Sequence, residues 1–313
     1  MIYRVAKNRD KYQILDFCKN TFEWGDYIHE VWDIWIKENN GLLIVAETSD
    51  GASHIPKSVA MIHGILYEDT IWIEGIRVNP VYRRKGLAST LVNKVIQYGK
   101  ERNAKKASTV VSIKNNPSKK LMNKLNFIPV DKWIYSSTYT LTSNNDKCFD
   151  KIIKAEIKDI KIIKTFLSKL ENDTSDIIRF VNAWRWYTLT ENQLYKIIIN
   201  SQLYIFHDKK IMGLVIVDSN PYFNKGNYEI GYLYGETKEI VANLINYYGI
   251  IAKLHNCNSK KNGEINSIPI NDNINDYNKK INIFCPDIKI NSEALLELEN
   301  NDTSKFIVYD KKI

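Results

Sequence analysis

The chain has 313 residues, with 44 Lys and Arg against 36 Asp and Glu for a net charge of +8, and it is 44% hydrophobic and 26% charged. That length accommodates two domains of about 150 residues better than one, and the composition is that of a folded globular protein. No apolar run approaches the roughly 18–20 residues of a membrane span, and the N-terminal stretch MIYRVAKNRDKYQ is too polar for a signal peptide. Cys18, Cys148, Cys257 and Cys285 are scattered without C-x-x-C spacing. They read as reduced thiols of a cytoplasmic protein, with no disulfide framework and no metal site.

The charge is unevenly placed. Residues 77–132 hold 14 Lys and Arg against 2 Asp and Glu, whereas residues 1–76 hold 7 against 12. A positive field confined to one segment suits a phosphate-rich ligand lying there. Nucleic acid is the weaker reading of the same patch, because the rest of the chain is acidic or balanced.

In chain order, Ile2–Val5 predicts a strand and Asp10–Phe17 a helix capped by Asp10. Gly25-Asp26 predicts a turn, with Asp26 as N-cap of a helix whose Ile28, Val31, Trp32 and Trp35 share one face. Strands follow at Leu42–Thr48, Val59–Leu66 and Ile71–Val78, forming an antiparallel meander that Asn79-Pro80 ends. The basic stretch Arg83-Arg84-Lys85-Gly86-Leu87-Ala88 comes next, and from Ser89 the apolar residues Leu91, Val95 and Ile96 have helical spacing. A strand, a short basic loop with glycine and a helix N-terminus together make an anion site. The first-turn N–H groups lack intrahelical partners and the helix dipole adds positive potential. Gly86 admits a phosphate close to the backbone, and Arg83, Arg84 and Lys85 supply charge. After a fifth strand, Ala107–Ile113, the chain reads Asn115-Asn116-Pro117-Ser118-Lys119-Lys120-Leu121-Met122-Asn123-Lys124-Leu125-Asn126-Phe127.

The order Val78, four residues, then Arg83-x-x-Gly86-x-Ala88 resembles the pyrophosphate-binding motif of the GCN5-related N-acetyltransferases (the GNAT superfamily). Asn115, Leu121, Lys124 and Phe127 match that superfamily's Asn-x-x-Ala-x-x-Leu-Tyr-x-Lys-x-Gly-Phe segment. Ser118 stands for Ala, Met122 for Tyr and Asn126 for Gly; asparagine tolerates the left-handed helix end second best to glycine. The resemblance implies an α/β fold with a mixed sheet over residues 1–142 and acetyl-CoA as co-substrate. Backbone groups of Ile76, Arg77 and Val78 would hold the pantetheine, and Arg83, Arg84, Lys85, Gly86, Leu87, Ala88 and Ser89 the pyrophosphate. Asn115, Ser118 and Lys124 would also contact the cofactor. The acceptor amine would lie against Trp24, Asp26, Tyr27, Glu30 and Trp32, although Trp32 and Trp35 also read as core. Gly25-Asp26-Tyr27, the Trp32/Trp35 helix and Glu74-Gly75-x-Arg77-Val78-x-Pro80 look similar to the vertebrate histidine N-acetyltransferase group and its prokaryotic relatives, which carry a degenerate second GNAT-like half.

Beyond a polar linker at residues 143–147, residues 148–313 replay the element order. Strands are expected at Lys151–Ile157, Leu203–His207, Ile211–Val217, Tyr228–Tyr234, Lys280–Cys285 and Phe306–Tyr309. Helices are expected at Asp159–Leu170, Ile177–Trp186, Glu191–Ile199, Glu236–His255 and Ser292–Glu299. The Asn-rich stretch Asn256–Asn278 reads as mobile. Gly235 passes straight into Glu236-Thr237-Lys238-Glu239, with no basic glycine loop. This half therefore reads as a degenerate, non-catalytic GNAT-like domain closing the substrate cleft of the first, with Trp184, Trp186 and Tyr187 in that cleft or in interface core.

Acetyl transfer to an amine needs a group that takes the ammonium proton before attack. Glu74 is the candidate base, preceding Gly75 where a bulge would re-aim side chains and free backbone N–H groups. Its competing role is a surface carboxylate paired with Arg77 or Lys114. Met122 cannot donate a proton where the superfamily's Tyr would, so another tyrosine or water would serve. His63 reads as a satisfied strand residue. Without a Ser/His/Asp or Cys/His arrangement, direct attack is favoured over a covalent enzyme. The reading is an acetyltransferase acting on a primary amine, first of all the α-amino group of an amino acid or small peptide. A protein lysine or N-terminal acetyltransferase and a non-catalytic acyl-CoA sensor are the alternatives; a homodimer stays open.

Overall fold

Apolar, β-branched runs broken by polar turns fold the first half of the chain around an antiparallel meander. The computed structural model describes residues 1–23, 25–49, 56–139, 146–174, 177–218, 227–261, 280–298 and 302–313. The chain divides into two units, one of residues 1–130 with 308–313, the other of residues 131–307.

In the first unit β1 (Ile2–Val5), β2 (Gly41–Ser49), β3 (Pro56–Tyr67) and β4 (Thr70–Val78) pair antiparallel in sequence order, and β5 (Lys106–Ser112) adds parallel to β4. The helices are α1 (Asp10–Cys18), α2 (Ile28–Trp35), α3 (Leu87–Lys100) and α4 (Asn116–Lys124). The predicted apolar face of α2 is buried throughout: Ile28, Val31, Trp32 and Trp35. The buried face of α3, with Leu91, Val92 and Val95, packs on β3 and β4.

Asp10 does not cap α1. The N-cap is Arg9, without a side-chain bond, because the Asp10 carboxylate is taken by Arg4 at 2.7 and 2.8 Å, by Ser58 Oγ at 2.9 Å and by Lys7 N–H. Asn126 ends α4 with φ 60°, the left-handed conformation expected of it.

The second unit has the strand order β6 (Ile128–Tyr139), β13 (Lys280–Pro286), β12 (Tyr228–Gly235), β11 (Lys210–Asp218), β10 (Leu203–Asp208) and β7 (Ile152–Lys154). Its helices are α5 (Ile160–Thr174), α6 (Glu191–Ile199), α7 (Lys238–Lys261) and α8 (Lys289–Leu296). Val215, Ile230, Leu233, Val241, Leu244 and Ile283 form the centre of its core.

One further expectation is corrected. Ile177–Trp186 is not a helix. Arg179–Asn182 (β8) and Arg185–Thr188 (β9) form a hairpin, whose two turn residues, Ala183 and Trp184, have φ of 54° and 61°. The two units divide between residues 130 and 131, ahead of the 143–147 linker. Most of β6 belongs to the second unit, where Trp133–Tyr139 pairs with β13. The first unit instead takes the final strand, β14 (Asp302–Lys312), at residues 308–312 beside β5. Ser108 Oγ donates to Asp310 at 2.7 Å, Lys106 pairs with the same carboxylate at 3.6 Å, and Ile313 N–H donates to the Lys105 carbonyl.

The expected linker lies mostly outside the described residues, as does most of Asn256–Asn278. Cys18, Cys148 and Cys285 are free thiols. Among the described residues no helix is long and apolar enough to cross a membrane, and no group of three metal-ligating side chains occurs.

Candidate active site

The hairpin between β3 and β4 sets the register of the site. Counting back from its two-residue turn, Tyr67 faces Thr70, Gly64 faces Ile73 and His63 faces Glu74. The register then slips, so that Met61 faces Arg77 and one extra residue is accommodated on β4. Gly75 sits in that bulge with φ 65°, and a Cβ there would lie 2.5 Å from the Trp35 ring. Bulge and glycine therefore come together: the left-handed backbone and the packed indole each exclude a side chain.

Just short of the bulge β4 and β5 part. Their parallel pairing covers Thr70↔Lys106, Ile71↔Ala107 and Trp72↔Ser108 and goes no further. Ile73–Val78 and Thr109–Ser112 thus line a V-shaped opening. Glu74 stands at its inner end with its side chain 13% exposed.

At the mouth of the V, Asn79 accepts from Val81 N–H and Pro80–Tyr82 forms a single 3₁₀ turn. The predicted anion loop follows. Gly86 is the N-cap of α3 with φ 81°, and a Cβ built on it meets nothing within 4 Å. The first intrahelical bond runs from Thr90 N–H to the Gly86 carbonyl, so the N–H groups of Leu87, Ala88 and Ser89 precede it, the arrangement that receives a phosphate. Arg83, Arg84 and Lys85 are exposed around this turn; Arg83 Nε donates to the Val78 carbonyl at 3.2 Å and Lys85 lies over the Tyr82 ring at 5.0 Å. The open cradle, the basic rim and the helix N-terminus fit a pyrophosphate.

Asn115 and Ser118 lie at the start of α4, just after β5, but the Asn115 side-chain Oδ1 is the helix cap, accepting from Ser118 N–H at 3.1 Å. Lys124 is nine residues on, about 13 Å along the helix at 1.5 Å per residue, so it is not brought to the Asn115 end. Met122, where the resemblance has a Tyr, is buried with 1% exposure.

The expected amine pocket is only partly assembled. Asp26 does not line it: its carboxylate is bidentate to Arg77, at 2.6 Å to Nε and 2.9 Å to the second guanidinium nitrogen, and its side chain is 4% exposed. Arg77 in turn is spent on Asp26 and on the Phe22 and Tyr27 rings, at 5.2 and 5.1 Å, so its side chain is no cofactor ligand. Trp32 is fully buried and belongs to the core. Tyr27 is half-buried between Arg77 and the edge of Trp35, and burial, opposed by Arg77, pushes its phenol up. Glu30 is exposed, and Trp24 lies outside the described residues.

Sequence reasoning gave no functional role to His63 or Glu38. The His63 ring is fully buried and stacks on Trp35 at 4.5 Å and 7°. Nδ1 is 2.9 Å from Glu74 Oε1, and Nε2 is 3.1 Å from Glu38 Oε2, a close ion-pair contact rather than an aligned hydrogen bond. Burial alone would lower its pKa; the two carboxylates outweigh burial and raise it above the usual histidine value. The signal for this was the hairpin register, which places His63 opposite Glu74.

The acetyltransferase (GNAT) family model matches residues 9–127. Those residues are a GNAT acetyltransferase domain. The match covers every element from α1 to α4. Solved structures resemble the chain over both units. A GCN5-related N-acetyltransferase from Sphaerobacter thermophilus is 13% identical with a TM-score of 0.58, over 99% of this chain and 95% of that one. A protein assigned as an acetyltransferase from Thermoplasma acidophilum is 13% identical with a TM-score of 0.57, over the full length of both. At such identity the likeness is one of fold. No curated protein sequence matches the chain. The matched residues include the opening between β4 and β5, the bulge and the anion loop together.

Proposed function

We propose that the GNAT domain transfers the acetyl group of acetyl-CoA to a small primary amine, with Glu74 as general base. The observation that carries this reading is the position of Glu74. It sits in the V beside a bulge whose backbone has left the ladder, one strand-length from an open, basic helix N-terminus. Leu87, Ala88 and Ser89 N–H with Arg83, Arg84 and Lys85 would hold the pyrophosphate, and the backbone at Ile76 and Val78 the pantetheine. The acetyl thioester supplies an electrophilic carbonyl carbon. The amine's C–N bond forms there as the C–S bond breaks, one ammonium proton having gone to Glu74; the nitrogen sheds a second proton as the amide forms, and the departing thiolate takes one up. Met122 supplies none; Tyr27, whose ring meets the edge of Trp35, is a described tyrosine packed against the Glu74–Trp35 cluster. The acceptor reading rests on the half-buried Tyr27 and the exposed Glu30 offering aromatic and acidic surface to a cation.

The second unit serves, on this reading, as a non-catalytic partner. Its own parallel pair, β12 and β13, is bonded over Tyr228↔Ile281, Glu229↔Asn282 and Ile230↔Ile283. There the β8–β9 hairpin presses in, so closely that a Cβ on Gly231 would meet the Val181 carbonyl at 2.0 Å. Trp186 packs on Trp133 and Phe284, and Glu236 ends the loop in an ion pair with Lys210 at 2.9 Å. A filled cleft and an acidic loop do not suit a cofactor.

Glu74→Gln tests the base. It should lower kcat about 10²–10⁴-fold while acetyl-CoA affinity holds, read by free-thiol release across an amine panel. Full turnover by this variant would move the role elsewhere.

A further inference from the structure

We infer that Glu38, His63 and Glu74 form an electrostatic clamp, in which Glu38 keeps His63 cationic so that His63 holds the Glu74 carboxylate ionised and fixed in orientation. The inference rests on Glu74 being the base, and it adds two positioning residues that do not touch the reacting atoms. Three observations carry it. His63 is fully buried and each ring nitrogen has a carboxylate oxygen within 3.1 Å. The three come from separate places: Glu38 follows α2, while His63 is on β3 and Glu74 on β4. The ring is also held in plane by Trp35, the same indole that wedges against Gly75.

The surroundings decide the charge. Besides the two glutamates, the groups packed around His63 include the Trp35 ring from α2, Leu43 opposite it on β2, and Gly41 of β2, where a Cβ would lie 2.9 Å from Nε2. Tyr98 of α3 reaches the Gly41 carbonyl at 3.4 Å, and Tyr27 touches Trp35 on its edge. Arg77, which lies over the Tyr27 ring, is paired with Asp26. An imidazolium between two carboxylates leaves one net negative charge, whereas a neutral ring would leave both carboxylates facing an uncharged group in a buried site. The carboxylates raise the histidine pKa, so the clamp opens as pH rises through that raised value, and it also opens at acid pH once the carboxylates themselves take up protons. A base needs to be ionised at working pH and aimed at the amine; the imidazolium provides both, and Glu38, with 19% side-chain exposure, balances it from the rim.

The test uses the full chain with ¹⁵N-labelled histidine. In the wild-type protein His63 should show both ring nitrogens protonated at pH 7.5, and Glu38→Gln should lower its titration midpoint by about one pH unit or more. A neutral His63 at pH 7.5, or a midpoint unmoved by Glu38→Gln, overturns the clamp. Kinetics give the second arm. His63→Gln should move the acid limb of kcat/KM for the amine to higher pH by about one unit, with KM for acetyl-CoA unchanged. An acid limb that stays in place also overturns it. Should His63→Gln not fold, the Glu38→Gln titration decides alone. Failure of the base assignment is separate: it shows as wild-type turnover in Glu74→Gln, which the histidine titration does not read.

Discussion

Replacing Asp26 by Asn leaves the Arg77 guanidinium charged and buried with half its partner's hydrogen-bonding capacity and none of its charge. The Arg77 and Asp26 side chains are 12% and 4% exposed, so solvent cannot take over. Breaking a buried pair on one side costs about 3–5 kcal/mol. The Phe22 and Tyr27 contacts survive, but at about 0.5–2 kcal/mol they do not offset that loss. The first unit comprises residues 1–130 and 308–313. At about 2.1 cal/mol/K per residue, a unit of that size has an unfolding entropy of about 0.29 kcal/mol/K, so a loss of about 3 kcal/mol lowers its midpoint by about 10 °C. Thermal and urea unfolding of Asp26→Asn, Arg77→Met and the double variant would measure this. The double variant should be less destabilised than the sum of the singles by about 2 kcal/mol or more, because replacing both members of a buried pair is close to neutral. A single Asp26→Asn variant within about 0.5 kcal/mol of wild type, the range of an ordinary surface substitution, or strict additivity, would refute the reasoning. A rise in KM for the amine without loss of stability would return Asp26 to the acceptor pocket.

Gly86→Val should weaken acetyl-CoA binding at least tenfold by calorimetry, since φ 81° is strained for a β-branched residue and the side chain fills the open cradle; unchanged affinity would remove the loop from the cofactor site. Acid stability offers another check, at Asp10. Burial would raise its pKa, but Arg4, Lys7 N–H and Ser58 outweigh burial and lower it. A depressed carboxylate contributes fully above its unfolded value of about 3.9 and loses that contribution as pH falls through the lower folded value. The stability gap between wild type and Asp10→Asn should therefore shrink from pH 5 to pH 2, and a constant gap would contradict the assignment.

The anion loop was legible because it is local. Strand, Pro80, Arg83-x-x-Gly86 and helix are contiguous, and each residue type has one physical job there. The Gly75 bulge and the Asn126 helix end were legible for the same reason. What escaped depends on partners distant in sequence. Asp26 and Arg77 are 51 residues apart, so a carboxylate next to aromatics read as an amine site when it was already occupied by an arginine. The β8–β9 hairpin escaped because its turn is Ala183-Trp184, where a two-residue hairpin ordinarily calls for Asn or Gly. The apolar residues around it then passed for helix. His63 was a near miss: alternate counting from the Glu68-Asp69 turn sets it against Glu74, but nothing in the sequence brings Glu38 to its other nitrogen.

The first unit's sheet is finished by residues 308–312, which stand beside β5 although the whole second unit separates them in the chain. During synthesis β5 is made early, and everything from residue 113 to residue 307 must follow before its second edge can be paired. At about 5–20 residues per second that takes roughly 10–40 s. Over that interval the GNAT domain exposes a strand edge open to pairing with other chains, while Ser108 waits for Asp310. The acetyltransferase half is thus translated before the second unit and completed only after it, so its yield of folded protein depends on how well that open edge is shielded until residues 308–312 emerge.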